Sequence, residues 1–257
     1  MNPIFEFTMW GIIFYIPAYA LFACVGLFFS MLIIYYRISS ISGITFAKYL
    51  RLIVSMALGM FLGSKCLFIL TRIPEIVRNF SVGKTCYIII TSGFVFYGGL
   101  FGTLLAMYFF SRKQKINLKN ISNVVVLAFP VFHMFGRIGC FFAGCCYGKA
   151  SAWGIALKND PFVLRFPVQL CESFLLLVIV GILLIIERKS NGGKWLLKYY
   201  LIMYAAIRFC LEFLRGDEIR GIWFGLSTSQ WISLAIIFVL FIREFIIKKK
   251  NPPQNML

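Results

Sequence analysis

The stretch Val168–Ile186, VQLCESFLLLVIVGILLII, runs through nineteen residues with one charged side chain, Glu172. A run of this length and apolarity spans the hydrocarbon of a bilayer as a helix at 1.5 Å per residue. It is one of seven such runs. The others lie at Ile12–Tyr36, Tyr49–Leu70, Cys86–Phe110, Ile121–Phe142, Leu196–Leu214 and Ile222–Ile247. Apolar residues make up 61% of the 257 positions and charged residues only 14%, leaving too little polar surface for a water-soluble domain of this size. No alternating pattern suggests a barrel, and every backbone amide in hydrocarbon needs an internal partner. The expectation is therefore an all-α integral membrane protein with about seven transmembrane helices, a single polytopic domain over 1–257.

Orientation follows from the basic residues. With the N-terminus outside, inner loops and the C-terminal end, from Arg37 through Lys248–Lys250, hold fifteen of the 26 Lys and Arg, while outer loops hold eight. That asymmetry predicts an outside N-terminus and a cytoplasmic C-terminus. Met1–Trp10 contains Glu6 and no Lys or Arg, so it lacks the basic start of a cleaved signal peptide, and the first span is expected to be retained. The net charge of +17 falls in short loops, where it meets anionic membrane lipid; no nucleic-acid partner is expected. The segment Tyr147–Pro167, with Trp153 and Asp160-Pro161, reads as an outer loop with interfacial anchors.

The remaining three basic residues, Lys65, Arg137 and Arg208, lie inside spans, as do Glu172 and Glu212. Each such charge costs roughly 2.5–3.5 kcal/mol at a helix centre, so it must face a polar interior. Arg208, Glu212 and Arg215 share one helical face by their spacing of four and three. Two readings stay open for that face: a structural ion pair between helices, or an anion site in which guanidinium forks hold a phosphate and the carboxylate aims them. His133, the only histidine, stands four residues before Arg137, with Cys140 three further on. It reads either as a helix-to-helix hydrogen bond or as a base beside a bound anion.

Gly136, Gly139, Gly144 and Gly148, and the run Tyr97-Gly98-Gly99 with Gly102, permit close packing or backbone exposure to a ligand. Cys140, Cys145 and Cys146 do not follow a standard zinc spacing, and adjacent cysteines on a helix point apart. No metal and no cofactor are expected. The eight cysteines, mostly within or at the ends of spans, do not imply a disulfide framework.

Several segments, in order, resemble the prolipoprotein diacylglyceryl transferase family. IPAYAL with Gly26 is similar to the family's early tyrosine segment. YGGLFG, Tyr97–Gly102, resembles its HGGLIG stretch. GRIGCFFAGCCYG, Gly136–Gly148, aligns without gaps to the signature GRxGNFxNxExxG. PVQLCE resembles PSQLYE, RFCLEFLRGD resembles the family's Arg, Glu, Arg segment, and GLSTSQWIS resembles the stretch that opens the last span. The resemblance implies transfer of the diacylglyceryl group of phosphatidylglycerol to the lipobox cysteine of a prolipoprotein signal peptide, in the bacterial cytoplasmic (inner) membrane.

On that resemblance Arg137, Arg208 and Glu212 are expected catalytic residues, and His133, one turn before Arg137, is expected to replace the histidine lost at Tyr97 as the base or as a phosphate partner. Tyr19, Tyr97, Gly98, Gly99, Cys140, Gly148, Glu172 and Arg215 are expected to bind substrate. The departures are Cys140, Ala143 and Cys145 where the signature has Asn, Asn and Glu, Tyr97 in place of His, and Cys171 in place of Tyr. They leave open a transferase with a different donor or acceptor. A lipid-binding or transport protein is the remaining alternative, although no inverted repeat with paired broken helices is visible.

Overall fold

The computed structural model describes residues 4–9, 12–38, 44–78, 96–157, 160–190, 195–217 and 221–250. Among them are seven helices: α1 (Ala18–Ile38), α2 (Phe46–Arg78), α3 (Phe96–Gln114), α4 (Leu118–Ala143), α5 (Val168–Lys189), α6 (Leu196–Glu212) and α7 (Thr228–Lys250). Five contain a stretch long and apolar enough to cross a membrane: Ala18–Ile38, Phe46–Leu70, Leu118–Ala143, Val168–Lys189 and Thr228–Ile247. The protein is thus mostly helical, with the apolar helices of a multi-pass membrane protein. At 17 residues α6 stands at the short end of the range that a crossing needs. The first part of the expected third span, from Cys86 to the residue before Phe96, lies outside the described residues. So do the loop cations Lys84, Lys158, Lys194 and Arg220.

Three of the expected segments differ, each where residues pair as strands. The first apolar run does not begin as helix at Ile12. Ile12–Pro17 forms β2, paired antiparallel with β1 (Ile4–Met9), and α1 starts only after Pro17. The expected loop Tyr147–Pro167 is largely a hairpin of β3 (Ala150–Leu157) and β4 (Asp160–Arg165). It leaves the rings of Trp153 and Phe162 almost wholly exposed, where interfacial aromatics belong. Before α7, Ile222–Trp223 and Leu226–Ser227 form a short hairpin, β5 and β6, through Gly225 at φ 77°.

The start of α7 is set by a capping box. Ser227 Oγ accepts from the amide of Gln230 at 3.3 Å, while Gln230 Oε1 accepts from the amide of Ser227 at 2.8 Å. Gln230 Nε2 then donates to the carbonyl of Phe209 at 3.3 Å, which ties this cap to α6.

The chain divides into two compact units, 1–34 with 125–257, and 35–124. In the first, Val126 and Leu127 of α4, Leu176, Ile179 and Leu183 of α5, and Leu196, Tyr200 and Tyr204 of α6 make a continuous buried cluster. Ser30 Oγ donates to the carbonyl of Ala128 at 3.0 Å and pins α1 to α4. Because α4, α5, α6 and α7 alternate in direction, the end of α4, the start of α5, the end of α6 and the start of α7 fall at one end of this bundle.

In the second unit α2 and α3 cross with backbone against backbone. A Cβ on Gly102 would run into the carbonyl group of Gly59, and one on Gly98 into that of Gly63. The run Tyr97-Gly98-Gly99 thus lies in unbroken helix from Phe96 onward, with small residues at a helix contact.

Gly102→Ala is expected to lower the thermal midpoint of the purified protein in detergent, by an overpacking penalty of about 1–3 kcal/mol. Gly99→Ala, whose Cβ would press only on the flexible Met60 side chain at 3.2 Å and otherwise make ordinary contacts with the Met60 carbonyl oxygen at 3.4 Å and Ser64 at 3.7 Å, is expected to lower the midpoint far less.

Candidate active site

The centre of the polar interior is Glu172, 1% exposed, in the second turn of α5. Its Oε2 lies 2.9 Å from Arg137 Nη2 of α4 and 3.2 Å from Arg208 Nη1 of α6, so one carboxylate oxygen serves two guanidinium groups. Its other oxygen, Oε1, accepts from the hydroxyl of Tyr204 at 3.3 Å and lies 3.6 Å from His133 Nε2. The His133 ring stands edge-on to the Tyr204 ring at 5.2 Å. Three helices thus converge on one side chain in a region walled from water.

A second carboxylate extends the array. Glu212 Oε2 lies 2.7 Å from Arg208 Nη2 and 3.7 Å from Arg215 Nη1. Arg208 Nη2 also donates to Ser229 Oγ at 3.3 Å. Arg215 is held further by Asp217, through Nε to Oδ1 at 2.8 Å and Nη2 to Oδ2 at 2.5 Å. The Asp217 hydrogen bond, with the nearby carboxylates, raises the Arg215 pKa against the opposing effect of burial. Arg137, Arg208, Glu172 and Glu212 are all at least 93% buried and balance in charge.

Balance does not exhaust the donors. Arg137 Nη2 is close to Glu172, yet its N–H bonds are not directed along that line, and Nη2 and Nε both lack a hydrogen-bond acceptor among the described residues. A buried guanidinium with unengaged donors is suited to an oxyanion brought to it.

The structure therefore gathers His133, Arg137, Glu172, Arg208, Glu212 and Arg215 into one network. Gly148 joins its margin through a β-bridge to Arg215, in which Lys149 N donates to Leu214 O at 2.9 Å and Gly216 N to Tyr147 O at 3.0 Å. Only glycine fits there, since a Cβ on Gly216 would lie 2.5 Å from the Gly148 carbonyl oxygen. Cys140 is one turn beyond Arg137, in a group with Cys145 and Cys146. Tyr19, in the first turn of α1, is half-exposed, and its Cα packs against Gly139. Gly98 and Gly99 belong to the other unit, and the side chain of Tyr97 lies outside the described residues.

Tyr204, Ser229, Gln169 and Ser173 were not singled out from sequence. Tyr204 stands four residues before Arg208 on the same helical face, a spacing that could have marked it. Gln169 donates to the Cys145 carbonyl at 2.7 Å and Ser173 to the Met134 carbonyl at 3.3 Å, so the polar face of α5 positions Glu172 from both sides.

Fold and site together define a multi-pass membrane protein whose helices enclose a guanidinium–carboxylate network. The family model for prolipoprotein diacylglyceryl transferase matches residues 8–245, and the chain belongs to that family. It is 35% identical over 188 residues to a Clostridium tetani protein named phosphatidylglycerol–prolipoprotein diacylglyceryl transferase, covering 71% of this chain and 74% of the relative. A Campylobacter lari protein of the same name is 32% identical over 235 residues, 84% of each chain. A Clostridium perfringens protein of that name, numbered 2, is 35% identical over 182 residues, 68% of this chain and 70% of its own.

Glu172→Ala leaves two buried guanidinium groups without their shared counter-ion. Thermal unfolding in detergent is expected to show a loss of about 3–5 kcal/mol, far above the loss from Asp217→Ala at the more exposed margin.

Proposed function

We propose that this protein transfers the diacylglyceryl group of phosphatidylglycerol to the lipobox cysteine of a prolipoprotein signal peptide. It acts in the bacterial cytoplasmic membrane as one polytopic domain of seven crossings, with its N-terminus outside and its C-terminus in the cytoplasm. The observation that carries the reading is the buried Arg137 guanidinium with unengaged donors beside Arg208, in a chain whose relatives bear the transferase name. A phospholipid reaches such a site from the bilayer itself.

In the reaction the acceptor sulfur attacks the glyceryl carbon that carries the phosphate ester. A C–S bond forms as the C–O bond breaks, and glycerol phosphate leaves with the electron pair. The thiol proton passes to a base. Developing negative charge on the leaving phosphate is met by Arg137 and Arg208, donors already aimed in a low-dielectric setting. Glu172 and Glu212 keep those arginines in place, and Arg215 stands near the mouth.

His133 is the proposed base. Its Nε2 lies 3.6 Å from Glu172 Oε1, a carboxylate placed to orient the ring as it takes and returns a proton. Tyr19, Cys140 and Gly148 are assigned to the lipid head group and its approach. A second reading, a related transferase with another donor or acceptor, is favoured by one observation: Cys140, Ala143 and Cys145 replace the polar side chains of the signature. A changed hydrogen-bonding set alters selectivity steeply.

The test is purified protein supplied with labelled phosphatidylglycerol and a lipobox peptide, with thioether product measured by mass spectrometry. Product supports the first reading; lipid turnover only with a different thiol or alcohol supports the second. Arg208→Lys is expected to cut turnover by about 100-fold or more, since an ammonium cannot reproduce the fork that spans Glu172, Glu212 and Ser229. His133→Ala is expected to fold but lose turnover of the peptide, and a near-normal rate would remove it from the role of base.

A further inference from the structure

The signature stretch contains a grouping of side chains that head-group binding by Cys140 alone does not account for. The Sγ atoms of Cys140, Cys145 and Cys146 all lie within 4.8 Å of one another. On a continuous helix residues 145 and 146 would point about 100° apart, which with the non-standard spacing is a ground for expecting no site there. The helix does not continue. It ends at Ala143, Gly144 takes φ 73°, and Cys146 takes φ 57°, so the chain turns back and brings both cysteines onto the thiol of Cys140. This corrects the expected geometry of the adjacent pair.

The turn is held from several directions. Cys145 N donates to the Cys140 carbonyl at 3.2 Å, the Cys145 thiol lies 3.6 Å from the same oxygen, and Gln169 donates to the Cys145 carbonyl. A left-handed conformation at a residue other than glycine costs about 1–2 kcal/mol, and here it is the conformation that makes the three sulfurs converge. Three thiolates on one d10 ion, at metal–sulfur distances of about 2.3 Å, stand about 4 Å apart. Less than an ångström of closure separates the present spacing from that arrangement.

We propose that Cys140, Cys145 and Cys146 form a three-thiolate site for one thiophilic divalent cation of the Zn2+ class. The fourth coordination position lies on the side of Cys145, the exposed member of the group. Three thiolates and a dication leave one negative charge, placed one helical turn beyond the Arg137 cation. The alternative of three unliganded thiols gains little from crowding sulfur atoms around a strained turn. Soft sulfur donors select this metal class over Mg2+ or Ca2+.

The test uses the full chain, purified in detergent, fully reduced and stripped with chelator. After incubation with Zn2+ and gel filtration, about one zinc per chain is expected, together with slowed alkylation of Cys140, Cys145 and Cys146 measured peptide by peptide. Cys24, Cys66, Cys171 and Cys210 serve as internal references whose alkylation zinc leaves unchanged. The near-isosteric C140S, C145S and C146S variants are each expected to lose retained zinc, while C171S keeps it. Zinc retained equally by the C140S/C145S/C146S triple variant, or alkylation of the three wild-type cysteines unaffected by zinc, overturns the proposal; the second measurement needs no variant to fold. Both readouts are separate from lipid transfer, so they hold whatever the donor proves to be.

Discussion

One carboxylate oxygen, Glu172 Oε2, holds two guanidinium groups from different helices inside an apolar bundle. Removing either kind of partner leaves a buried charge, whereas the four charges together balance, with Tyr204 donating to Glu172 and Arg208 to Ser229. The cost of placing ions in a medium without water makes this arrangement all-or-none. Helices α4, α5 and α6 consequently have little freedom to slide past one another at this end of the bundle. That rigidity is a property a site needs if its donors are to be in place before charge develops.

The surrounding structure serves that alignment. The Ser227–Gln230 capping box fixes where α7 begins, and the third contact of Gln230, to Phe209, sets its register against α6. Ser229 lands beside Arg208 as a result. On the other side, the Gly148–Arg215 bridge closes the segment after α6 onto the end of the signature stretch, a contact close enough to need glycine at 216. Elements that look peripheral in the chain, a helix cap and a bridge, therefore help to place Arg208 and Arg215.

Membership of the prolipoprotein diacylglyceryl transferase family accounts for the arginines and acids but not for three cysteines in the signature. Their convergence depends on an early helix end and two left-handed residues, so it is a built feature of the backbone. It also places soft, polarizable donors beside Arg137, where the signature has an amide and a carboxylate.

Much of the architecture was legible from local pattern. Apolar runs of about 20 residues announced membrane helices, and the spacing of Arg208, Glu212 and Arg215 announced one charged face, because both depend only on helix geometry. The pairing partners were not legible. Arg137, Glu172 and Arg208 are far apart in the chain, and only the alternating directions of α4, α5 and α6 bring them to one end of the bundle. Likewise Ile12–Pro17 reads as membrane helix by composition, but the partner strand Ile4–Met9 draws it into a hairpin. The amino-acid sequence determined by itself that charges had to be hidden within an apolar bundle. Tertiary structure alone decided that Glu172 would be their centre, since neutralising a buried guanidinium requires a carboxylate within a few ångströms in space, whatever its distance in sequence.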